Sequence, residues 1–165
     1  MKLQLLSIGA ALALGACASS SPEPLTISSV KVDTDLTSIQ SRQAVDYWKS
    51  LSSDLETAIA AEFAGHIDPS GRPVTVDIDE LSLSESYAAG ASIDSARLSG
   101  VVALGDIEPD GVPDPTYTVT ATAQDAVPFM SADGDRQVSA TSAAYYDAIV
   151  KAFARGTAET LRSAP

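Results

Sequence analysis

The chain has one cysteine, one histidine and one tryptophan in 165 residues, and only 10 lysines and arginines against 22 aspartates and glutamates. Each shortage excludes a kind of work. A single cysteine cannot close a disulfide within the chain, so burial and hydrogen bonds must hold the fold. One histidine, with no second cysteine, leaves too few ligands for a zinc site of the ordinary kind. A net charge of −12 repels nucleic acid phosphates and anionic lipid heads, so neither is expected as a partner. There is no polybasic patch to hold the chain on a membrane surface. Three phenylalanines, one tryptophan and two methionines give no surplus of large apolar side chains beyond what a core needs. That weighs against a pocket for an apolar ligand.

The lone cysteine is informative because of where it stands. Met1-Lys2 makes a short positive start, and residues 3–14 are almost all apolar. A run of about a dozen is the length of a signal-peptide core, whereas a membrane span needs roughly 20. The run closes on Leu14-Gly15-Ala16-Cys17, an aliphatic residue, two small ones and a cysteine. This resembles the lipobox of bacterial lipoproteins. The resemblance implies that a diacylglyceryl group joins the Cys17 thiol and that the bond between Ala16 and Cys17 is cut. It implies further that the new amine is acylated, palmitate being a typical chain. A thiolate is the strong side-chain nucleophile near neutral pH, which is why such chemistry uses cysteine. One acyl chain holds a protein marginally and two or more hold it stably. The alternative is an ordinary secretory signal ending near Ala16, with Cys17 a free thiol. Ala18, in place of the aspartate that resembles an inner-membrane retention signal, favours the outer membrane and its periplasmic face. No other cofactor is expected.

On this reading residues 1–16 are a lipoprotein signal peptide, residues 17–24 the lipidated cysteine and a tether, and residues 25–165 a single domain. Residues 18–24 are small or proline apart from Glu23, and they reach at most about 25 Å. Leu25, Ile27, Val30 and Val32 predict a first strand whose alternation slips between Ile27 and Val30, the mark of a bulge. Val45, Trp48, Leu51, Leu55, Ile59 and Phe63 recur at steps of three or four and predict one helix over residues 37–64, with a capping box at Thr37 and Gln40. Gly65 ends it in the left-handed region. Val74, Val76 and Ile78 alternate with Thr75, Asp77 and Asp79, a half-buried strand that a bulge near Asp79 and Glu80 carries on to Leu81 and Leu83. Residues 84–95 read as a loop. Residues 96–104 and 116–123 read as two more strands, with a proline-rich hairpin loop over residues 106–115 between them. Residues 127–137 read as a loop, and Tyr146, Ile149, Phe153, Thr157 and Leu161 predict a last helix over residues 141–162. Gly100 admits a helix at close range, and close packing on the sheet accounts for Gly156.

The expected fold is α+β, in the order β-α-β-β-β-α, with a largely antiparallel sheet and two amphipathic helices on one face. This order resembles small envelope lipoproteins, such as the lipopolysaccharide-assembly lipoprotein and the auxiliary lipoproteins of lipid-exporting ABC transporters. Beyond the lipobox the resemblance is one of architecture.

No constellation of catalytic residues is legible, and the chain reads as a non-enzyme. His66 follows a helix end and is better suited to its last carbonyls than to a catalytic triad. Asp77 and Asp79 share a strand face, but nothing apolar in sequence surrounds them to raise a pKa. Asp106, Glu108, Asp110 and Gly111, with Asp114, resemble the start of a calcium loop, yet Tyr117 stands where a bidentate glutamate belongs. The reading there is a solvated acidic turn, and Asp133-Gly134-Asp135 is a weaker instance. Trp48 reads as core. Tyr87, Phe129 and Met130 are the large side chains outside the predicted elements and the candidate contacts for a partner. Val127, Phe129 and Met130 are read either as a contact patch or as packing over the core edge. Two functions follow. The first is an accessory or structural subunit of an envelope assembly, with an envelope protein as partner. The second is a periplasmic module for a lipid or small apolar ligand.

Overall fold

A computed structural model describes residues 24–88, 96–105, 115–130 and 139–164. Cys17 with the whole lipobox, the acidic pattern of residues 106–114, and Asp133-Gly134-Asp135 lie outside the described residues. The strands are β1 Ile27–Asp33, β2 Arg72–Ile78, β3 Arg97–Leu104 and β4 Thr116–Thr122. They form one sheet in the order β1-β2-β3-β4. β2, β3 and β4 pair antiparallel, as a meander. β1 pairs with β2 in parallel, so the sheet is mixed. The cause is the long helical connection between β1 and β2, which carries the chain back to the end it started from. The register of β1 shifts between Ile27 and Ser29, where the alternation predicted a bulge.

Three elements differ from the sequence expectation. The helix predicted over residues 37–64 is broken into a 3-10 turn Leu36–Ser38, α1 Arg42–Trp48 and α2 Leu51–Glu62. Better caps win over the Thr37 and Gln40 spacing. Asp35 accepts the Thr37 N–H and Ser41 Oγ accepts the Ala44 N–H, each satisfying a donor that a helix start leaves open. The apolar stripe survives the break, with Trp48, Leu51, Leu55, Ile59 and Phe63 all buried. Gly65, at φ +83°, turns the chain out of α2 as expected.

The bulged strand through Leu81 and Leu83, and the start of the loop after it, are instead α3 Glu80–Ala88. The strand stops because Asp79 turns from a strand residue into a cap, its Oδ1 accepting the Leu81 N–H at 3.0 Å. Ser82 then fastens the helix to β3, donating to the Asp79 carbonyl at 2.7 Å and accepting the Ser99 N–H at 3.2 Å. Residues 123–129 are likewise helical, α4 Ala123–Ala126 followed by a 3-10 turn Val127–Phe129. A reciprocal capping box between Thr122 and Asp125 starts them, with two donors satisfied at once. The last helix, α5 Ala143–Ser163, is capped by Ser142 and falls where its stripe predicted.

One face of the sheet is covered. Val32, Val74, Val76, Ile78, Leu98, Val102, Val119 and Ala121 point into the core, against Leu55, Ile59, Ile149 and Phe153 from α2 and α5. The two glycines of this interface differ. A Cβ on Gly100 would meet the Asp77 carbonyl oxygen at 2.8 Å, Ile78 Cδ1 at 3.0 Å and Phe153 Cζ at 3.3 Å. Close approach therefore does require glycine there. A Cβ on Gly156 would meet only Val119 Cγ1, at an ordinary 3.4 Å, so packing does not account for that residue.

Candidate functional site

The strand directions give the domain two ends. β1, β2 and β4 begin at one end, where β3 finishes, and the described chain enters there at Pro24. His66, Arg72, Pro115 and Arg162 line a groove of about 610 Å3 at this end, beside Pro24 and Leu25. The opposite end carries α1, α3, α4 and the start of α5.

An aromatic cluster organises that far end. Tyr47 stands edge-on to Trp48 at 4.6 Å and to Tyr146 at 5.5 Å between ring centroids, and the tilted ring of Tyr87 lies 5.8 Å away. Such pairs contribute about 0.5–1.5 kcal/mol each beyond their buried area. The polar tips are anchored too. Trp48 Nε1 donates to the Leu83 carbonyl at 3.2 Å. The Tyr47 hydroxyl lies 3.1 Å from the Ala140 carbonyl and 3.0 Å from that of Ser142, and donates between them. Tyr146 donates to Asp54 at 2.5 Å. Burial drives the Tyr47 and Tyr146 hydroxyls well above the usual phenol range, and the Asp54 carboxylate adds to the rise at Tyr146. These phenols stay protonated and act as donors, not bases.

Between α2 and α5 runs a groove of about 520 Å3. Ala58, Ala61, Val150 and Ala154 make it apolar, Phe129 and Tyr146 border it, and Asp54, Glu62, Asp147 and Lys151 give it a mainly acidic rim. The Arg155 guanidinium sits 4.7 Å over the Phe129 ring, a cation–π contact that holds the ring down on α5.

The sequence-singled residues scatter across this frame. Trp48 is buried. Tyr87 and Phe129 lie in helical turns, half-buried and packed on the core, as is Met130. Their sequence setting as loop residues is thus corrected, because α3 and the turn after α4 give them a core edge to cover. Val127, 60% exposed, and Leu81, 63% exposed, are the large apolar side chains that face solvent at this end. Leu81 escaped the sequence reading because strand alternation placed it beside Leu83. On a helix the two diverge. His66 is exposed, and its backbone carries its structural contacts, donating to the Phe63 carbonyl and accepting from Ile27 N–H. Asp77 lies on the open sheet face beside Asp33, while Asp79 is occupied as a cap. Asp77, Asp79 and Glu80 together line a shallow pocket of about 290 Å3 on the sheet, beside Ser99 and Thr118. No family model, curated protein or solved structure matches the chain.

Proposed function

We propose that this chain is a cell-envelope lipoprotein, held by lipid on Cys17, whose domain serves as a non-catalytic accessory subunit of an envelope assembly. The observation that carries the reading is Leu14-Gly15-Ala16-Cys17 closing a short apolar run. Ala18 favours the outer membrane as the site of the anchor. A tether ending at Pro24 keeps the entry end of the domain within about 25 Å of the bilayer. The far end is then presented away from the membrane to a protein partner. Tyr87 lies at that end, while Phe129 borders the groove between α2 and α5 with Met130 next to it in the chain. Exposed Leu81 and Val127 are the residues free to bury against a partner.

The second reading is a module for a lipid or small apolar ligand. The apolar groove between α2 and α5 favours it. The space between sheet and helices does not, since Phe153, Ile149, Val102 and Ile78 are themselves buried there and fill it.

Metabolic labelling with an alkyne fatty acid tests the anchor. The wild type takes up label and Cys17→Ser does not, whereas equal labelling of both defeats the reading. Native mass spectrometry of the chain purified from its envelope separates the two functions. A copurified protein, lost in Leu81→Ser with Val127→Ser, supports the subunit. A copurified lipid supports the carrier.

A further inference from the structure

The two edges of the sheet are finished differently. The outer edge of β1 is occupied. Its Ile27 N–H donates to the His66 carbonyl and its Ile27 carbonyl accepts from Asp68, both at 2.9 Å. Its Val32 N–H donates to Glu56 Oε1 at 3.1 Å. The strand is also bulged and carries Lys31 and Asp33. These are the devices by which proteins keep edges from pairing. Over residues 116–120, β4 shows none of them among the described residues. Thr116-Tyr117-Thr118-Val119-Thr120-Ala121-Thr122 holds no charge and no proline, and its register with β3 is unbroken.

The hydrogen-bond parity shows which groups β4 turns outward. Asp79 N–H donates to the Ser99 carbonyl and Gly105 N–H to the Pro73 carbonyl. The odd-numbered residues of β3 therefore bond toward β2, and Leu98, Gly100 and Val102 bond toward β4, where they face Ala121, Val119 and Tyr117. The N–H and C=O groups left over on β4 belong to its threonines and point away from the sheet. Thr122 fits this parity, since its outward N–H donates to Asp125 Oδ2 at 2.8 Å. Among the described residues nothing bonds the outward groups of Thr118 and Thr120, and both residues are exposed.

We infer that β4 is a pairing edge for a second copy of this chain, joined antiparallel about a twofold axis at Val119. In that register Thr118 of each copy faces Thr120 of the other. Each such pair exchanges both backbone hydrogen bonds. The strand is its own complement. On the open face threonine meets threonine at every position, and the Ser99 and Thr120 hydroxyls already pair across strands on that face at 2.8 Å. On the packed face Val119 meets its copy and Tyr117 meets the small Ala121. A groove of about 450 Å3 beside Tyr117, lined by Glu159, Thr160 and Ser163, leaves room along this edge. On the open face no carboxylate of β2, β3 or β4 stands close to its copy. Asp77 and its copy lie five strand spacings apart, about 24 Å, well beyond a screening length of about 8 Å at physiological salt. A closed twofold dimer is the commonest homo-oligomer, and it removes both bare edges at once.

The inference does not depend on the lipid anchor or on the far-end partner surface. Its test is sedimentation of the full chain in detergent, as wild type, as Thr118→Glu with Thr120→Glu, as Thr118→Lys with Thr120→Lys, and as a mixture of the two variants. The wild type sediments as a dimer. Each charged variant is a monomer with an unchanged circular dichroism spectrum, its association weakened at least tenfold. The one-to-one mixture recovers the dimer, which a misfolded variant could not do. The inference fails if the wild type is a monomer up to about 1 mM, or if it is a dimer that both charged variants retain. It fails also if the wild type is a monomer that carries a foreign chain lost on Thr118→Glu with Thr120→Glu, which would make the edge a site for another protein's strand.

Discussion

The two faces of the sheet are made from the same seven- and eight-residue strands, yet they answer to different constraints. On the packed face the side chains are mostly Val, Ile, Leu and Ala, buried against α2 and α5, with the half-buried Tyr117 at the β4 edge. On the open face stand Lys31, Asp33, Thr75, Asp77, Ser99, Val101 and the four threonines of β4. Within one strand the two kinds alternate residue by residue. The same backbone thus tolerates almost no change at one residue and almost any change at the next. Substitution on the two faces measures how sharp that boundary is.

The largest loss is expected at Phe153. Its ring is fully buried in α5 and reaches the sheet at Gly100. Phe153→Ala should destabilise the full chain by about 3–5 kcal/mol in chemical denaturation, transfer and cavity costs together. Gly100→Ala comes next, from the opposite side of the same contact. The new methyl would press on the Asp77 carbonyl, which is backbone and cannot rotate aside. A loss of about 1–3 kcal/mol is expected from overpacking. A neutral Gly100→Ala would mean that β2 and β3 can shift apart, and that the packed face is less rigid than its contacts imply.

How much of this was legible in the sequence depended on period and on what ended each element. Strand alternation identified the packed faces of β2, β3 and β4, and steps of three and four identified the buried stripes of α2 and α5. Those signals come from burial, which acts at every residue of an element. The breaks were less legible. Asp79 and Ser41 each decide a boundary through one side-chain hydrogen bond, and Asp125 through its capping box with Thr122. Many Ser and Asp residues in this chain look locally alike. The parallel placement of β1 was not legible either, since it follows from the path of α1 and α2. At the candidate site, Trp48 was readable from its place on a stripe. The convergence of Tyr47, Tyr87 and Tyr146 around it was not, because three separate helices bring those rings together.

Tyr145 tests the packed side by pH. Its ring is fully buried, its hydroxyl has no hydrogen-bond partner among the described residues, and burial pushes its pKa up to about 12. A phenol whose folded pKa is raised above its unfolded value of about 10 contributes no pH-dependent loss below pH 10. Its contribution is lost as pH rises from there through about 12. Tyr145→Phe should therefore match or slightly exceed the wild type at pH 7, where it removes an unsatisfied group. At pH 11 it should retain roughly 1 kcal/mol that the wild type loses. Parallel stability curves for the two proteins between pH 8 and 11 would show that the hydroxyl reaches water.

Gly156 offers a smaller effect of opposite sign. It lies inside α5, where glycine weakens a helix, and the added methyl would meet Val119 Cγ1 at an ordinary contact distance of 3.4 Å. Gly156→Ala should stabilise by about 0.5–1 kcal/mol. Together with Gly100→Ala it turns one interface into a signed comparison, with a gain from the helix side and a loss from the sheet side.

The smallest effect belongs to the open face. Thr118 is exposed on β4, and its neighbour across the β3 pairing is Val101, itself 43% exposed. Thr118→Val keeps the branched shape that suits a strand and removes only a hydroxyl that water can satisfy. Its stability should stay within about 0.5 kcal/mol of wild type, read as a melting temperature within a few degrees. On that outcome folding is indifferent to the hydroxyl, and its polarity serves the exposed edge. Threonine keeps a bare strand edge polar, so that it pairs by backbone geometry and not by indiscriminate apolar contact. Thr118→Val joins the exposed Val101 into a larger apolar patch. The variant should accordingly melt like the wild type and yet scatter more light on concentration. A loss beyond about 1 kcal/mol would instead show the open face to be under load within a single chain, and the boundary between the two faces would not lie where burial draws it.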